Sequence, residues 1–287
     1  MIRVASCEPE HLEQLAALLS AHAACAVPGA AVLPATIARR LERDPGEFVL
    51  DPWVEARDTL VAIARDRVVA AGQLWRFVDE PRVSEHYRGA AELRWFSFWP
   101  GEDEAAAALL DRAIEHAGPV SRFYVTGDLP DVLVHGIPDT WPHVEALARE
   151  HGFSYDGRTE VLLVARLHAL PGPEAPPAGY SLRRGVAWSG DVVLIANRAN
   201  GPVAKMELAA EGPVGELWGP FAEHREVDAD AARWLWLEAF EWMRLGGCDR
   251  VIAALVEDEP GVEQAVALGL RPVTRLRRGW TLHQAGS

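Results

Sequence analysis

One order of segments runs twice along this chain, and that repeat limits the fold more than any single motif does. "TLVAIARDRVVAAGQLWRF", Thr59 to Phe77, is two apolar runs around a turn at Arg65, Asp66 and Arg67. "DVVLIANRANGPVAKMELAA", Asp191 to Ala210, has the same form, with its turn at Ala199, Asn200 and Gly201. Each predicts a β-hairpin. A strand carrying a glutamate follows each: "AAELRWFSFWPG" with Glu92 and "VGELWGPFAEH" with Glu216. A helix comes next, over Glu102 to Ala117 and about Asp230 to Leu245, with Gly118 and Gly246 where terminating glycines belong. Each half then gives a strand, a short helix and a closing strand: "SRFYVTG", "WPHVEALAREHGF" and "TEVLLVARL", then "RVIAALV", "GVEQAVALGL" and "RLRRGWTLH".

Between the halves stands "HALPGPEAPPAGY", His168 to Tyr180. Its crowded prolines remove donors and fix φ, which predicts a stiff extended connector. The expected division is residues 1–168, a linker at 169–179, and residues 180–287. The halves differ in one respect. The first has two helical stretches, "EPEHLEQLAALLSAHA" and one around "PATIARRLER", before its hairpin. The second passes from "YSLRRG" almost directly to its hairpin, so it lacks the first helical layer.

With 49% hydrophobic residues in 287, the chain can bury a full core. A net charge of −14 argues against nucleic acid and anionic membrane, which attract cationic patches. It favours cationic small molecules weakly. Cys7, Cys25 and Cys248 are an odd number with no C-x-x-C spacing, as expected of reduced thiols in the cytoplasm. No start signal and no apolar run long enough to cross a membrane is present. His135, His143 and His151 are eight apart, and His22 and Cys25 lack a second pair, so no metal site is expected.

The order strand, helices, hairpin, strand, helix, strand, helix, strand resembles the GNAT superfamily of CoA-dependent N-acetyltransferases. The resemblance covers nearly the whole chain, as two mixed-sheet α/β domains in tandem. "AEL" and "GEL" at the fourth strand, "REHGF" and "ALGL" before the last, and the turn "WMRLGGCDRV" carry it. It implies an N-acetyltransferase that moves an acetyl group from acetyl-CoA to a small amine. In that family the fourth strand splays from the fifth to admit the pantetheine arm. The pyrophosphate sits on backbone amides at the start of the next helix, in R/Q-x-x-G-x-G/A. Free N–H groups and the helix dipole attract anions there, and glycine allows close approach.

The resemblance places cofactor contacts on Phe221 and Ala222 of the strand and on Val227, Asp230, Ala231 and Ala232 of the loop and helix. Val227 replaces the arginine and Asp230 the first glycine. In the first half the same count gives Asp103, Ala106 and Ala108, or Gly101, Glu104 and Ala106 with a two-residue deletion. Neither half has a basic residue there. Asp228 or Asp230 reads equally as an N-cap, which would occupy the amides a phosphate needs. Like charges about 4 Å apart cost roughly 4 kcal/mol at an effective dielectric near 20. The alternative is therefore a degenerate GNAT-fold protein that binds a small molecule or protein without acetyl transfer.

Glu216 and Glu92 are the candidate bases, since some enzymes of the family use a glutamate on this strand. Arg94, two residues from Glu92, is an expected ion-pair partner for it. Alternation places Glu216, Trp218 and Pro220 on one face, and Glu92, Arg94, Phe96 and Phe98 on another. The family's tyrosine acid is replaced by Ala148 and Ala265. Trp234, Trp236 and Trp242 read as core, while Trp188 or Trp218 could line an aromatic acceptor pocket.

Overall fold

The computed structural model describes residues 1–42, 51–130, 132, 134–187, 191–222, 228–258 and 260–282. The chain forms two compact units, Met1–Thr159 with Arg275–Ser287, and Glu160–Thr274.

The first unit opens with β1 (Ile2–Ser6), α1 (Leu12–Ala26) and α2 (Pro34–Leu41). α1 buries Leu15, Leu18, Leu19, His22 and Ala26, the three-and-four spacing of a single apolar face. β2 (Val54–Ala64) and β3 (Arg67–Phe77) form the first hairpin. Its two loop residues, Arg65 and Asp66, have φ of 51° and 59°. That is the left-handed loop whose twist suits paired strands. β4 (Ala91–Phe98), α3 (Asp103–Ala117), β5 (Phe123–Val125), β6 (Ile137–Pro138), α4 (Pro142–Glu150) and β7 (Ser154–Arg166) follow.

The second unit continues with β8 (Ser181–Val186), β9 (Val192–Arg198), β10 (Gly201–Glu211) and β11 (Val214–Ala222). α5 (Ala229–Leu245), β12 (Arg250–Val256), α6 (Pro260–Ala267) and β13 (Arg271–Leu282) complete the chain order. Only five residues separate β8 from β9, so this unit lacks the first helical layer. Its core gathers on α5, where Trp234, Trp236, Leu237 and Phe240 are buried. Trp242 is partly buried against the same core. Asp228 caps the start of α5, and Gly247, at φ 82°, lets the chain leave its end.

The two units share a strand order. In the first it is β1, β2, β3, β4, β5 and then β13; in the second it is β8, β9, β10, β11, β12 and then β7. In each, the glutamate strand pairs parallel with the strand after it, β4 with β5 and β11 with β12. The last strand is exchanged. Trp280, Thr281 and Leu282 of β13 pair with Val125, Tyr124 and Phe123 of β5. Glu160 to Arg166 of β7 pair antiparallel with Val256 to Arg250 of β12.

This exchange changes the expected division at residues 168 and 180. The sequence gives each half its own closing strand, whereas the units divide within β7 and within β13. The proline-rich stretch lies inside the second unit. Arg244 of α5 donates to the carbonyls of Leu167, Leu170 and Pro171, at 2.8 to 3.2 Å. The segment is tied to the helix rather than being a free spacer.

Candidate functional site

β4 places a charged cluster on one face of the first sheet. His116 of α3 lies 3.1 Å from Asp58, so Asp58 faces α3. Alternation then turns Arg57 and Thr59 to the opposite face, with their register partners Trp75 and Gln73. Trp75 pairs in register with Glu92, and Gln73 with Arg94. The face therefore carries Arg57, Thr59, Gln73, Trp75, Glu92 and Arg94. Gln73 is fully buried and donates to Thr59 Oγ1 and to the Arg40 carbonyl of α2. Its oxygen accepts from Trp75 Nε1 at 2.7 Å. The guanidiniums of Arg57 and Arg94 lie 4.2 and 4.3 Å from the Trp75 ring, within cation–π range.

Arg94 does not pair with Glu92. Its Nη2 donates to Asp128 Oδ2 at 2.9 Å. Asp128 also accepts from the Gly136 amide and from Thr126 Oγ1. Burial alone would push its carboxyl up, but His135, Arg94 and Thr126 hold it below the usual carboxylate range. Glu92 is 9% exposed, and among the described residues no hydrogen-bond donor reaches it. Burial, only partly offset by Arg94, pushes its carboxyl up from 4.5 to about 7. The charge of Glu92, and then burial, push the Tyr87 phenol up in turn. Buried ionisable groups with displaced titration in one cluster are candidates for a functional site.

The cofactor cleft implied by the resemblance is closed in this unit. The parallel pairing of β4 with β5 runs on past Leu93. Thr126 N donates to Leu93 O, Phe96 N to Thr126 O, and Trp95 N to Asp128 O, at 3.0 to 3.3 Å. At the end of the strand, His143 of α4 donates from Nε2 to the Phe98 carbonyl at 2.9 Å. His22 Nε2 lies 3.3 Å from the same nitrogen, and the His22 ring meets Trp141 edge-on at 4.8 Å. Burial pushes His22 down to about 4, so this packed pair is neutral near pH 7. α3 also begins without a side-chain cap, and Glu102 beside it pairs with Arg65 at 2.5 Å.

The second unit differs at the same place. β11 and β12 pair only from Val214↔Arg250 to Leu217↔Ala253, while the strands continue to Ala222 and Val256. Beyond Leu217 no register pair joins the two strands. Gly215 faces α5, since a Cβ there would lie 2.6 Å from Met243 Sδ. Glu216 and Trp218, half-buried, therefore turn to the opposite face.

Both glutamate strands carry a bulge three residues after the glutamate. Trp95 has φ 57° and Gly219 has φ 112°. A bulge shifts alternation by one residue. Ala71 pairs with Ser97 and Lys205 with Phe221. Hence Ser97, rather than Phe96 or Phe98, shares the face of Glu92 and Arg94. Phe221, rather than Pro220, shares the face of Glu216 and Trp218. Phe221 is 44% exposed.

At the start of α5, Asp228 Oδ1 accepts from the amides of Asp230 and Ala231, both at 3.1 Å. The bond from Ala231 leads in holding its carboxyl below the usual range, with Tyr180, Arg198 and the Asp230 amide adding to it. Ala231 and Ala232 are fully buried, so only their backbone could meet a ligand. Arg198 of β9 lies 3.2 Å from Asp228, and its guanidinium sits 4.4 Å from the Tyr180 ring. Glu216, Phe221 and Ala222 thus lie on β11, and Asp230, Ala231 and Ala232 on the first turn of α5. Val227 and Trp188 lie outside the described residues. Sequence reasoning missed Asp128, Gln73 and Arg198. Each comes from a strand or loop far along the chain, and no local spacing marks it. Among the described residues no cluster of metal ligands occurs, and no helix is long and apolar enough to cross a membrane.

No protein-family model matches the chain, and no curated protein matches it in sequence. Solved structures do match. A tandem GNAT protein from the clavulanic acid biosynthesis pathway superposes with a TM-score of 0.70 at 19% identity, covering 100% of both chains. A GCN5-related N-acetyltransferase from Sphaerobacter thermophilus gives 0.61 at 13% identity, over 99% of this chain and 98% of its own. A GCN5-related glucosamine N-acetyltransferase region of a fungal multi-domain β-N-acetylglucosaminidase gives 0.68 at 13% identity. It is matched over 96% of this chain and 38% of that one. At these identities the fold is what is shared, and this chain has the tandem GNAT fold.

Proposed function

We propose that this protein is an acetyl-CoA-dependent N-acetyltransferase of a small amine, with its cofactor site in the second unit. One observation carries the reading: β11 and β12 share register pairs only as far as Leu217 and Ala253, whereas hydrogen bonds tie β4 to Thr126 and Asp128 beyond Leu93. A pair joined only that far leaves backbone groups for the amide-bearing arm of the cofactor, and Phe221 stands exposed on β11 beside it. Bound there, acetyl-CoA supplies the activated acetyl group. The helix start fits the diphosphate only after rearrangement, because Asp228 already holds the amides of Asp230 and Ala231. Arg198, now paired with Asp228, supplies the cation that Val227 does not.

Glu216 is the base in this reading. It would take a proton from the ammonium of the acceptor, directly or through water, leaving the amine lone pair free to attack. With alanine at residues 148 and 265, no tyrosine acid serves either unit, so the leaving thiolate would take its proton from solvent. Glu92 lies in the unit whose cleft is closed, and we assign it a different role below.

Calorimetry with acetyl-CoA tests the site, and thiol release across a panel of small amines tests the activity. One site per chain, with amine-dependent thiol release that falls at least about a hundredfold in Glu216→Gln, is expected. An unchanged rate in Glu216→Gln sinks the base assignment. A second reading, a fold that binds without transferring acetyl, is favoured by the bonds of Asp228 to the α5 amides. Binding of no acetyl-CoA at millimolar concentration would decide for it.

A further inference from the structure

The first unit buries a carboxyl for which no hydrogen bond is seen among the described residues, beside a guanidinium nitrogen with no partner. Glu92 and Arg94 are two residues apart on one face of β4, which puts their backbones about 7 Å apart. Among the described residues no ion pair joins them, and no donor reaches the Glu92 carboxylate. Arg94 commits Nη2 to Asp128, while its Nε is buried with no partner. One side chain lacks a donor, and its neighbour has a donor to spare. Leaving either unsatisfied in a buried site is costly, more so for the charged group.

The surroundings give the gap a shape. Glu92 is flanked in register by Trp75 on β3 and by Tyr124 on β5. Tyr87, from the loop before β4, stands close enough for the charge of Glu92 to be the chief influence on its phenol. Arg278 and His135 add positive charge near Glu92, and His135 also bonds Asp128. A lone organic cation would satisfy Glu92 but face these guanidiniums. A lone anion would meet Glu92 itself. A ligand with both charges, a few bonds apart, answers both residues.

We propose that the face of β4 between Glu92 and Arg94 is a binding site for a small zwitterion of the amino-acid class. Its ammonium meets Glu92 and its carboxylate meets the guanidinium of Arg94, whose side chain is 19% exposed. The aromatic rings of Trp75 and Tyr87 wall the remainder. The ligand is bound and not acetylated, because the cofactor cleft of this unit is filled by His143 and by the continued pairing of β4 with β5. The inference stands whether or not the second unit takes acetyl-CoA.

The test is calorimetry on the full chain without acetyl-CoA, titrating each common L-amino acid in turn. At least one binds, and its decarboxylated amine and deaminated acid bind at least about tenfold more weakly, since each lacks one charged partner. Glu92→Gln weakens binding at least about tenfold while melting no lower than the parent, so lost folding cannot explain the effect. Tyr87→Phe, a milder change in the wall, keeps binding within about threefold. Binding of no amino acid, equal binding by Glu92→Gln, or equal binding of the bare amine would each overturn the proposal.

Discussion

Glu92 and Glu216 stand at the same place in two copies of one folding unit, three residues before a bulge on the strand that follows the hairpin. Around Glu92 the parallel pairing continues, a histidine takes the last carbonyl, and burial raises the carboxyl. Around Glu216 the pairing stops one residue later, and the side chain is half-buried. The same residue on the same strand therefore has different chemistry open to it. What differs is how far two strands stay hydrogen-bonded, and that is set by residues elsewhere: Thr126, Asp128 and His143.

The largest effect that would break this comparison concerns the exchanged strand. Trp280 is 1% exposed and stacks on Tyr155 with centroids 5.3 Å apart. Trp280→Ala should cost about 3–5 kcal/mol. Hydrogen exchange should report the loss at Phe123 to Val125 of β5 and leave β12 protected. Loss at β12 instead would mean that the units do not divide where the strands indicate.

Next in size is the buried carboxylate. Burial pushes the Glu92 carboxyl up from its ordinary 4.5 to about 7 in the folded chain. Between those values the folded state keeps a proton that the unfolded state releases. Stability therefore falls as pH rises through that window, and stays lower above it. Glu92→Gln should remove the loss, gaining about 3 kcal/mol at pH 8 and nothing at pH 4, by urea denaturation at both. Equal effects at the two pH values would show that Glu92 is not held protonated.

The bulges give a smaller contrast. Gly219 has φ 112°, and a Cβ there would lie 3.0 Å from the Lys205 carbonyl. Gly219→Ala should destabilise by about 1–3 kcal/mol, read from the denaturation midpoint. The smallest change in stability sharpens the functional reading. Asp228→Ala should cost about 1 kcal/mol through the lost cap. It should also tighten acetyl-CoA binding by at least about tenfold, since it frees two amides and removes a negative charge. Weaker binding in this variant would remove the helix start from the proposed site.

The periodic features of the fold were legible in the sequence. Hairpins, helices and the missing helical layer follow from alternation, capping and length, and all appear where the segments predict. Asp228 as a cap was also legible, because capping is local. The partner of Arg94 was not. Sequence offered Glu92, two residues away, whereas the fold supplied Asp128 from beyond β5. Alternation failed at Trp95 for a related reason. A tryptophan with positive φ has no local signature, and the bulge is held by hydrogen bonds to a distant segment. The exchanged strands were hidden because either closing strand is apolar enough to complete either sheet.

That exchange also bears on the order in which the protein can be made. A ribosome delivers the chain from its first residue onward, and domains ordinarily complete themselves in that order. Here Glu160 to Thr274 is an unbroken stretch that carries every strand of the second unit. The first unit waits for Arg275 to Leu282, which emerge after all of that stretch. The unit begun first is thus the one completed last. A gene cut at the proline-rich segment would yield two fragments, each missing its closing strand and each carrying the strand that belongs to the other.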